Sequence, residues 1–248
     1  MNQPLSTRTI ANRKIFFGHQ SIGGNILQGL ATLAKQSAEA PLTIIEYVSE
    51  PPQATAALVH SKIGKNADPL SKLQDFSAKC NELKEANLDY AMMKFCYIDF
   101  HAQTELADIE RVYSETFAAL TKQLPNTRFI HCTVPITLNK LGARSWLKKL
   151  LGQPVAVEQD NIARNHFNDF IRNRYAKEPI FDLAALEATD LQQHPVTFRY
   201  HGNAYQSLYS GYTQDGRHLN ERGQEWIARN FIELINNLES SRQAEKSN

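Results

Sequence analysis

A chain of 248 residues, 42% of them hydrophobic and 21% charged, has an ordinary globular composition and is long enough to bury a full core in one domain. Its 27 Lys and Arg residues nearly balance its 26 Asp and Glu residues, so the formal net charge is +1. This balance provides no excess of positive charge that would attract nucleic acid or an anionic membrane surface, and we expect neither as a partner.

The cysteines and the apolar runs exclude several further classes. Cys80, Cys96 and Cys132 are far apart and form no C-x-x-C pair, so neither a disulfide framework nor a zinc site is indicated, and we expect no metal and no cofactor. No apolar run approaches the ~20 residues of a membrane span. Residues 1–13 lack the apolar segment of a signal peptide, so the sequence as written predicts a cytoplasmic protein. A chain whose leader had been removed would look the same and would be exported.

Short apolar runs alternate with longer amphipathic ones along the chain. We predict five strands, at 13–17, 42–48, 91–96, 128–134 and 180–183. Apolar residues at helical spacing predict helices at 22–34, 69–83, 103–124, 155–175 and 221–238. The remaining stretches are interpreted as a loop at 49–64 that begins at two prolines, a basic excursion at 140–154, a polar and aromatic loop at 189–217 and a frayed tail at 240–248.

Strands separated by helices indicate a parallel sheet covered by helices on both faces, in a single domain that spans residues 1–248. In such folds the ligand crevice lies outside the carboxyl ends of the strands. Functional residues are therefore expected directly after the strands.

The first such place is Gly18-His19-Gln20-Ser21-Ile22-Gly23-Gly24, between the first strand and the first helix. A serine at a helix N-terminus has backbone N–H groups beside it that can hold an oxyanion. Serine is also a common N-cap, and position alone favours that role, with the glycines shaping the turn. A nucleotide site is poorly supported, because neither G-x-G-x-x-G nor Gly-Lys-Ser/Thr is present.

The second place is Asp215-Gly216-Arg217-His218, just before the last helix. An aspartate and a histidine three residues apart in a turn can share one side of the chain. Asp215 would then accept a hydrogen bond from His218 Nδ1 and leave Nε2 free as a base. The alternative is a simple Asp-Gly turn with an incidental histidine.

Together these two segments resemble a known family. Asp215-x-x-His218-Leu219-Asn220-x-x-Gly223 resembles the C-terminal block of SGNH/GDSL hydrolases, and the segment around Ser21 resembles their first block, in the branch with His-x-Ser-Ile/Val-Gly. The resemblance implies a three-layer α/β/α sandwich with a five-stranded parallel sheet, the flavodoxin-like SGNH hydrolase fold. It also implies a catalytic triad of Ser21, His218 and Asp215.

The family's oxyanion hole is only partly represented. Besides the Ser21 N–H, the resemblance points to a glycine N–H after the second strand, for which Gly64 is the candidate, with a plain loop glycine as the alternative. The family's block-three Asn is missing, since the chain reads Lys94-Phe95-Cys96-Tyr97-Ile98-Asp99 there. Tyr97, Lys94 or Asn66 would have to donate instead, and losing one donor costs ~10²–10³ in rate.

Further candidates are less specific. His19 and Lys94 are candidate substrate contacts, and Tyr212 is a third, in an aromatic-rich loop that packing explains equally well. Glu187 is either a pocket carboxylate or a solvated cap.

Three functions remain open. The first is a serine esterase or deacetylase for a small ester, with an acylated carbohydrate as the substrate class that the resemblance implies. The second is a non-catalytic binding protein with the same fold, which the missing Asn favours. The third is an O-acyltransferase, in which a sugar hydroxyl replaces water. The sequence does not indicate an oligomeric state.

Overall fold

The computed structural model describes residues 5–39, 41–48, 56–151 and 153–246. Its main feature is one parallel sheet in the order β2-β3-β1-β4-β5-β6. The strands are β1 Lys14–His19, β2 Ile44–Glu46, β3 Ala57–Lys62, β4 Tyr90–Met93, β5 Arg128–Cys132 and β6 Ile180–Phe181. A separate antiparallel hairpin consists of β7 Thr197–Tyr200 and β8 Asn203–Gln206.

The helices connect these strands. They are α1 Arg8–Ala11, α2 Ile22–Gln36, α3 Pro69–Glu82, α4 Leu106–Gln123, α5 Ala143–Leu150, α6 Ala156–Arg174, α7 Leu183–Glu187 and α8 Glu221–Lys246. Short 3₁₀ turns lie at Lys84–Ala86, Tyr97–Asp99 and Ser210–Tyr212. α3 begins where expected, because Asp68 accepts a hydrogen bond from Ser71 N–H and Pro69 occupies the first helical position.

Apolar clusters lie on both faces of the sheet. On β1, Ile15 and Phe17 point into a cluster shared with α2 and α8, while Phe16 points into the opposite cluster with side chains of α3, α4 and α6. This alternation is the period of a strand that is buried on both faces. The prediction of an α/β/α sandwich with a parallel sheet is confirmed.

The number of strands was predicted wrongly. The sheet has six strands rather than five, because β3 lies within the stretch 49–64 that we interpreted as a loop. Residues 49–55 of that stretch lie outside the described residues. β3 contains a single β-branched residue, Val59, so local propensity is weak. Pairing with β1 on one side and β2 on the other makes it a strand.

Three further stretches differ from expectation. The basic excursion at 140–154 contains α5, and the aromatic loop at 189–217 contains the β7–β8 hairpin. The tail predicted to fray from residue 240 continues as helix α8 to Lys246. The N-terminal part of α8 packs on the sheet and anchors the helix. Cys80, Cys96 and Cys132 are buried free thiols, as their apolar surroundings predict. Among the described residues no helix is both long and apolar enough to cross a membrane.

The two ends of the chain meet where α2 packs against α8. A Cβ atom on Gly29 of α2 would lie 2.3 Å from the backbone carbonyl oxygen of Gln224, so only glycine permits this close approach. Nearby, Leu219 N–H donates to the Asn25 side chain at 3.3 Å. The turn that follows β1 and the turn that precedes α8 are therefore held side by side at the carboxyl edge of the sheet.

Candidate active site

Ser21, His218 and Asp215 form a continuous hydrogen-bonded chain at this edge. Ser21 Oγ lies 2.9 Å from His218 Nε2, and His218 Nδ1 lies 2.7 Å from Asp215 Oδ2. With Nδ1–H donating to the carboxylate, Nε2 is left to accept the Ser21 hydroxyl proton. Ser21 and His218 are 197 positions apart in sequence, so only the fold brings them together.

Asp215 is fixed by its own turn. Its Oδ1 accepts the backbone N–H groups of Arg217 and His218, each at 2.8 Å. Thr213 Oγ1 accepts the N–H of Gly216, whose φ of +81° is in the region that favours glycine. Burial of Asp215 alone would raise its pKa, but the hydrogen bonds from the His218 ring and from both backbone groups outweigh this and hold the pKa well below its usual range. The carboxylate is therefore charged beside the imidazole.

Ser21 is not acting as an ordinary helix cap. It precedes α2, but its side chain makes no capping hydrogen bond to that helix and is directed to His218 instead. Its φ of +42° is in a region that non-glycine residues rarely adopt, at a cost of about 1–3 kcal/mol. Such strain persists where the surrounding structure fixes it and is typical of functional positions.

The loop after β3 lies against the Ser21 turn. The side-chain amide of Gln20 donates to the carbonyls of Ile63 and Gly64, each at 3.1 Å. The N–H of Gly64, our candidate oxyanion donor, donates to Asp75 Oδ2 at 2.9 Å. This contradicts the expectation for Gly64, because its donor is already occupied; its φ of +50° and its close approach to α3 explain the glycine.

Asn66, in the same loop, has a side-chain donor without a hydrogen-bond partner among the described residues. Its Oδ1 accepts a hydrogen bond from Lys72 Nζ at 3.2 Å, which fixes the orientation of the amide and leaves Nδ2 available to another acceptor. Lys72 in turn forms an ion pair with Asp99, at 2.8 Å to Oδ1 and 2.5 Å to Oδ2. Both charged side chains of this pair are fully buried.

Asp99 connects the two loops that flank the site. Besides Lys72, it accepts the N–H of Ala67 in the loop after β3 and the N–H of Cys96 in the loop after β4. Asp99 follows β4, in the segment where the family's asparagine was expected, and it is a buried carboxylate that accepts structural hydrogen bonds. Sequence analysis missed this pair, since Lys72 is one of several lysines on an amphipathic helix and nothing local connects it to Asp99.

Tyr97 is brought to the triad. Its ring stands edge-on to the His218 imidazole, with the ring centroids 5.9 Å apart. The guanidinium groups of Arg164 and Arg217 lie 5.7 and 6.0 Å from the centroid of the same tyrosine ring. Tyr97 therefore lines the site.

The three candidate substrate contacts lie in the interior, which contradicts those predictions. His19 is 5% exposed, shares a hydrogen bond of 3.2 Å with His60, and burial lowers its pKa to about 3. Lys94 is fully buried, and its Nζ donates to the Phe95 carbonyl at 2.9 Å. Tyr212 is 1% exposed and packs between Tyr209 and Trp226.

Glu187 is buried rather than a pocket carboxylate or a solvated cap. Its Oε2 accepts the Ile136 N–H at 2.8 Å, and Oε1 has no hydrogen-bond partner among the described residues. Burial raises its pKa to about 8, against the opposing attraction of Lys94 and Arg164. The group is therefore largely protonated at neutral pH.

A polar face of α6 holds the loop after β5, and sequence analysis missed its role. Asn168 bonds both backbone groups of Val134, and Asn161 does the same for Thr137. Arg164 lies on this face, with 4% of its surface exposed. Asn and Arg residues recurring three or four positions apart within a helix were the available signal. Among the described residues, no group of three His, Cys, Asp or Glu side chains is placed to hold a metal ion.

Comparison with known proteins gives a structural answer. No family model matches the sequence, and no curated protein does either. Solved structures do match: a Streptococcus pneumonia protein named as a platelet activating factor has a TM-score of 0.53 at 12% identity, covering 89% of this chain and 82% of its own.

Two further solved structures are similar to this chain to about the same degree. A Slackia heliotrinireducens protein named as an SGNH hydrolase has a TM-score of 0.51 at 14% identity, covering 91% of this chain and 99% of its own. The periplasmic domain of a lipopolysaccharide acetyltransferase from Salmonella ser. Paratyphi A has a TM-score of 0.50 at 14% identity, covering 88% and 82%. At these identities the likeness concerns the fold. The chain has the α/β/α fold of the SGNH hydrolases.

Proposed function

We propose that the protein is a serine esterase that hydrolyses a small ester through an acyl-enzyme on Ser21. The observation that carries this proposal is the hydrogen-bonded chain from Ser21 Oγ through His218 to Asp215, at 2.9 and 2.7 Å. A nucleophile bonded to a base, and a base oriented by a carboxylate, is the arrangement that activates a hydroxyl at neutral pH.

The reaction follows from where each proton sits. Ser21 Oγ attacks the ester carbonyl carbon while His218 Nε2 takes its proton, and Asp215 stabilises the imidazolium that forms. The tetrahedral intermediate collapses, the C–O bond to the alcohol breaks, and His218 returns the proton to the departing oxygen. Water then attacks the acyl-enzyme with His218 again as base, releasing the acid and restoring the Ser21 hydroxyl.

The oxyanion requires two donors, and we assign the Ser21 N–H and the Asn66 side-chain amide. The Gly64 N–H is occupied by Asp75, whereas Asn66 Nδ2 has no partner in the part of the chain that the structure describes and its amide is oriented by Lys72. The hydrogen bonds from Gln20 to the 63–64 carbonyls support placing this loop beside the nucleophile. Asn66 would thus replace the asparagine that is missing after β4.

Hydrolysis of p-nitrophenyl acetate tests the proposal. We expect turnover by the wild type and loss of turnover in Ser21→Ala, with unchanged circular dichroism. An exposed serine outside the site, Ser241→Ala, is the matched control. Absence of turnover in the wild type, or equal turnover in both Ser21 forms, would favour a non-catalytic binding protein.

An O-acyltransferase is the second candidate. It is favoured by the fold similarity to the Salmonella acetyltransferase domain. The chemistry is shared up to the acyl-enzyme, which a sugar hydroxyl would intercept in place of water. Product analysis with p-nitrophenyl acetate and a sugar acceptor separates the two: we expect free acetate, and predominant acetylation of the sugar would replace hydrolase by transferase.

A further inference from the structure

A cavity of about 720 Å³ opens beside the triad. It is lined on one side by residues that flank His218, namely Asp215, Gly216 and Arg217, and on the other by Tyr97 and by the α6 residues Asp160 and Arg164. The volume lies in the range of pockets that hold a whole small molecule, well beyond the needs of a short acyl group.

Arg164 is a buried cation presented to this cavity. Its Nε donates to the Tyr97 carbonyl at 2.8 Å, and one terminal nitrogen donates to Thr137 Oγ1 and Asn161 Oδ1 at 3.0 and 2.8 Å. All three acceptors are neutral. The other terminal nitrogen has no hydrogen bond to the described residues. Burial lowers the pKa of Arg164 to about 10, which leaves it charged at neutral pH.

The cavity carries more positive than negative charge. Its lining includes three cations, Arg164, Arg217 and Lys140, and among the described residues none of them forms an ion pair with a carboxylate. The two carboxylates of the lining already have partners. Asp215 is bonded to His218. Asp160 accepts the Ala102 N–H at 3.1 Å and attracts Arg164 through space, but forms no ion pair with it among the described residues. A buried guanidinium without a carboxylate partner is costly unless an anion joins it.

We propose that this cavity binds an anionic group, a carboxylate, phosphate or sulfate, carried by the alcohol portion of the ester substrate. That the anion belongs to a substrate rests on the proposed esterase function, whereas the anion-binding site itself does not depend on it. The second terminal nitrogen of Arg164 and the exposed guanidinium of Arg217 can each donate a charge-assisted hydrogen bond to the oxygens of such a group.

The position of the cavity assigns the anion to the alcohol portion. The departing oxygen must take its proton from His218, so the alcohol leaves on the imidazole side of the site. The cavity lies on that side, next to Gly216 and Arg217 and to the Tyr97 ring that contacts His218. The oxyanion donor Asn66 belongs to the other loop and is not among the cavity's lining residues.

A binding measurement tests this without turnover. Titration calorimetry on Ser21→Ala compares 4-acetoxybenzoate with its neutral isostere 4-acetoxybenzamide. We expect the anion to bind about 10- to 100-fold more tightly, the usual worth of a charge-assisted hydrogen bond. The phosphate and sulfate analogues, 4-acetoxyphenyl phosphate and 4-acetoxyphenyl sulfate, show which anion the cavity prefers.

Two substitutions in the Ser21→Ala background locate the effect. Arg164→Met should reduce the preference for the anion. Because Arg164 also anchors the Tyr97 loop, the second substitution is at the exposed Arg217, and Arg217→Met should reduce the preference as well. Lys122→Met removes the same charge from the last turn of α4, at the opposite edge of the sheet, and should leave the preference intact.

Equal affinity for the acid and the amide, or a preference that survives both arginine substitutions, would overturn the inference. An anion preference in a protein that hydrolyses no ester would remove the proposed function and leave the binding site standing. The two failures are therefore distinguishable.

Discussion

The triad and the Lys72–Asp99 pair are two polar clusters of opposite character at the same edge of the sheet. The side chains of His218 and Asp215 are 44% and 53% exposed and are held by the backbone of a short turn. Those of Lys72 and Asp99 are wholly buried and join segments from α3 and from the loops after β3 and β4. Groups that react must meet substrate, whereas groups that set loop positions can be enclosed.

This difference implies that damage to the two clusters should appear in different measurements. Substitution in the exposed triad should reduce rate and leave stability nearly unchanged. Substitution in the buried pair should reduce stability first, because an unpaired charge would remain in the interior.

The largest effect is expected for Asp215→Asn. The amide would favour the wrong tautomer of His218, so kcat for p-nitrophenyl acetate should fall by about 10⁴, as an equivalent change does in serine proteases. The melting temperature should change little. Asp190→Asn is the matched control, since Asp190 also accepts two backbone N–H groups in a turn but lies outside the triad. A loss of less than tenfold would remove Asp215 from the mechanism.

Lys72→Met should act on stability. It leaves Asp99 buried and unpaired, at a cost of roughly 3–5 kcal/mol, which corresponds to a fall in melting temperature of the order of 10 °C. Arg111→Met, which breaks an exposed ion pair on α4, should leave the melting temperature nearly unchanged. The melting temperatures of the two variants are compared by thermal unfolding monitored with circular dichroism. Equal melting temperatures for the two variants would contradict the structural role of the buried pair.

Asn66→Ala connects the two clusters, because Lys72 orients the Asn66 amide. Removal of one oxyanion donor should lower kcat by ~10²–10³ with little change in melting temperature. Asn81→Ala, near the far end of α3, is the control. If kcat of Asn66→Ala stayed within threefold of the wild-type value, the second donor would have to be sought elsewhere, with Tyr97 next.

Apart from the meeting of Ser21 with His218, which the family resemblance implied, the features predicted from the sequence are local and those missed are long-range. Asp215 and His218 share one turn, so their spacing alone indicated a pair, and the alternation of helices and strands indicated the layers. β3 was missed because its stability comes from neighbours on both sides rather than from β-branched residues. The burial of Lys94 and Tyr212, and the occupied N–H of Gly64, depend on packing partners that no local pattern names.

Glu187 contrasts with Asp99, since its carboxyl is buried without a cation in contact among the described residues. Its pKa is raised to about 8 in the folded state from 4.5, so the folded protein holds a proton that the unfolded chain has lost between these values. Its contribution to stability is present below pH 4.5 and is lost as the pH rises towards 8, by at most ~1.4 kcal/mol per pH unit.

Glu187→Gln, which keeps the size and an acceptor for Ile136 N–H, should flatten this dependence. Urea unfolding at several pH values measures it, with the exposed Glu245→Gln as the control. An unchanged slope in Glu187→Gln would mean that the carboxyl ionises normally.

The proposed function requires that His218 makes the Ser21 hydroxyl nucleophilic. Labelling with a fluorophosphonate, followed by intact-mass measurement and peptide mapping, tests it most directly. We expect one adduct per chain, located on Ser21 and formed much more slowly in His218→Ala. An adduct on another residue, no adduct on the folded wild type, or equal labelling rates with and without the imidazole would contradict it.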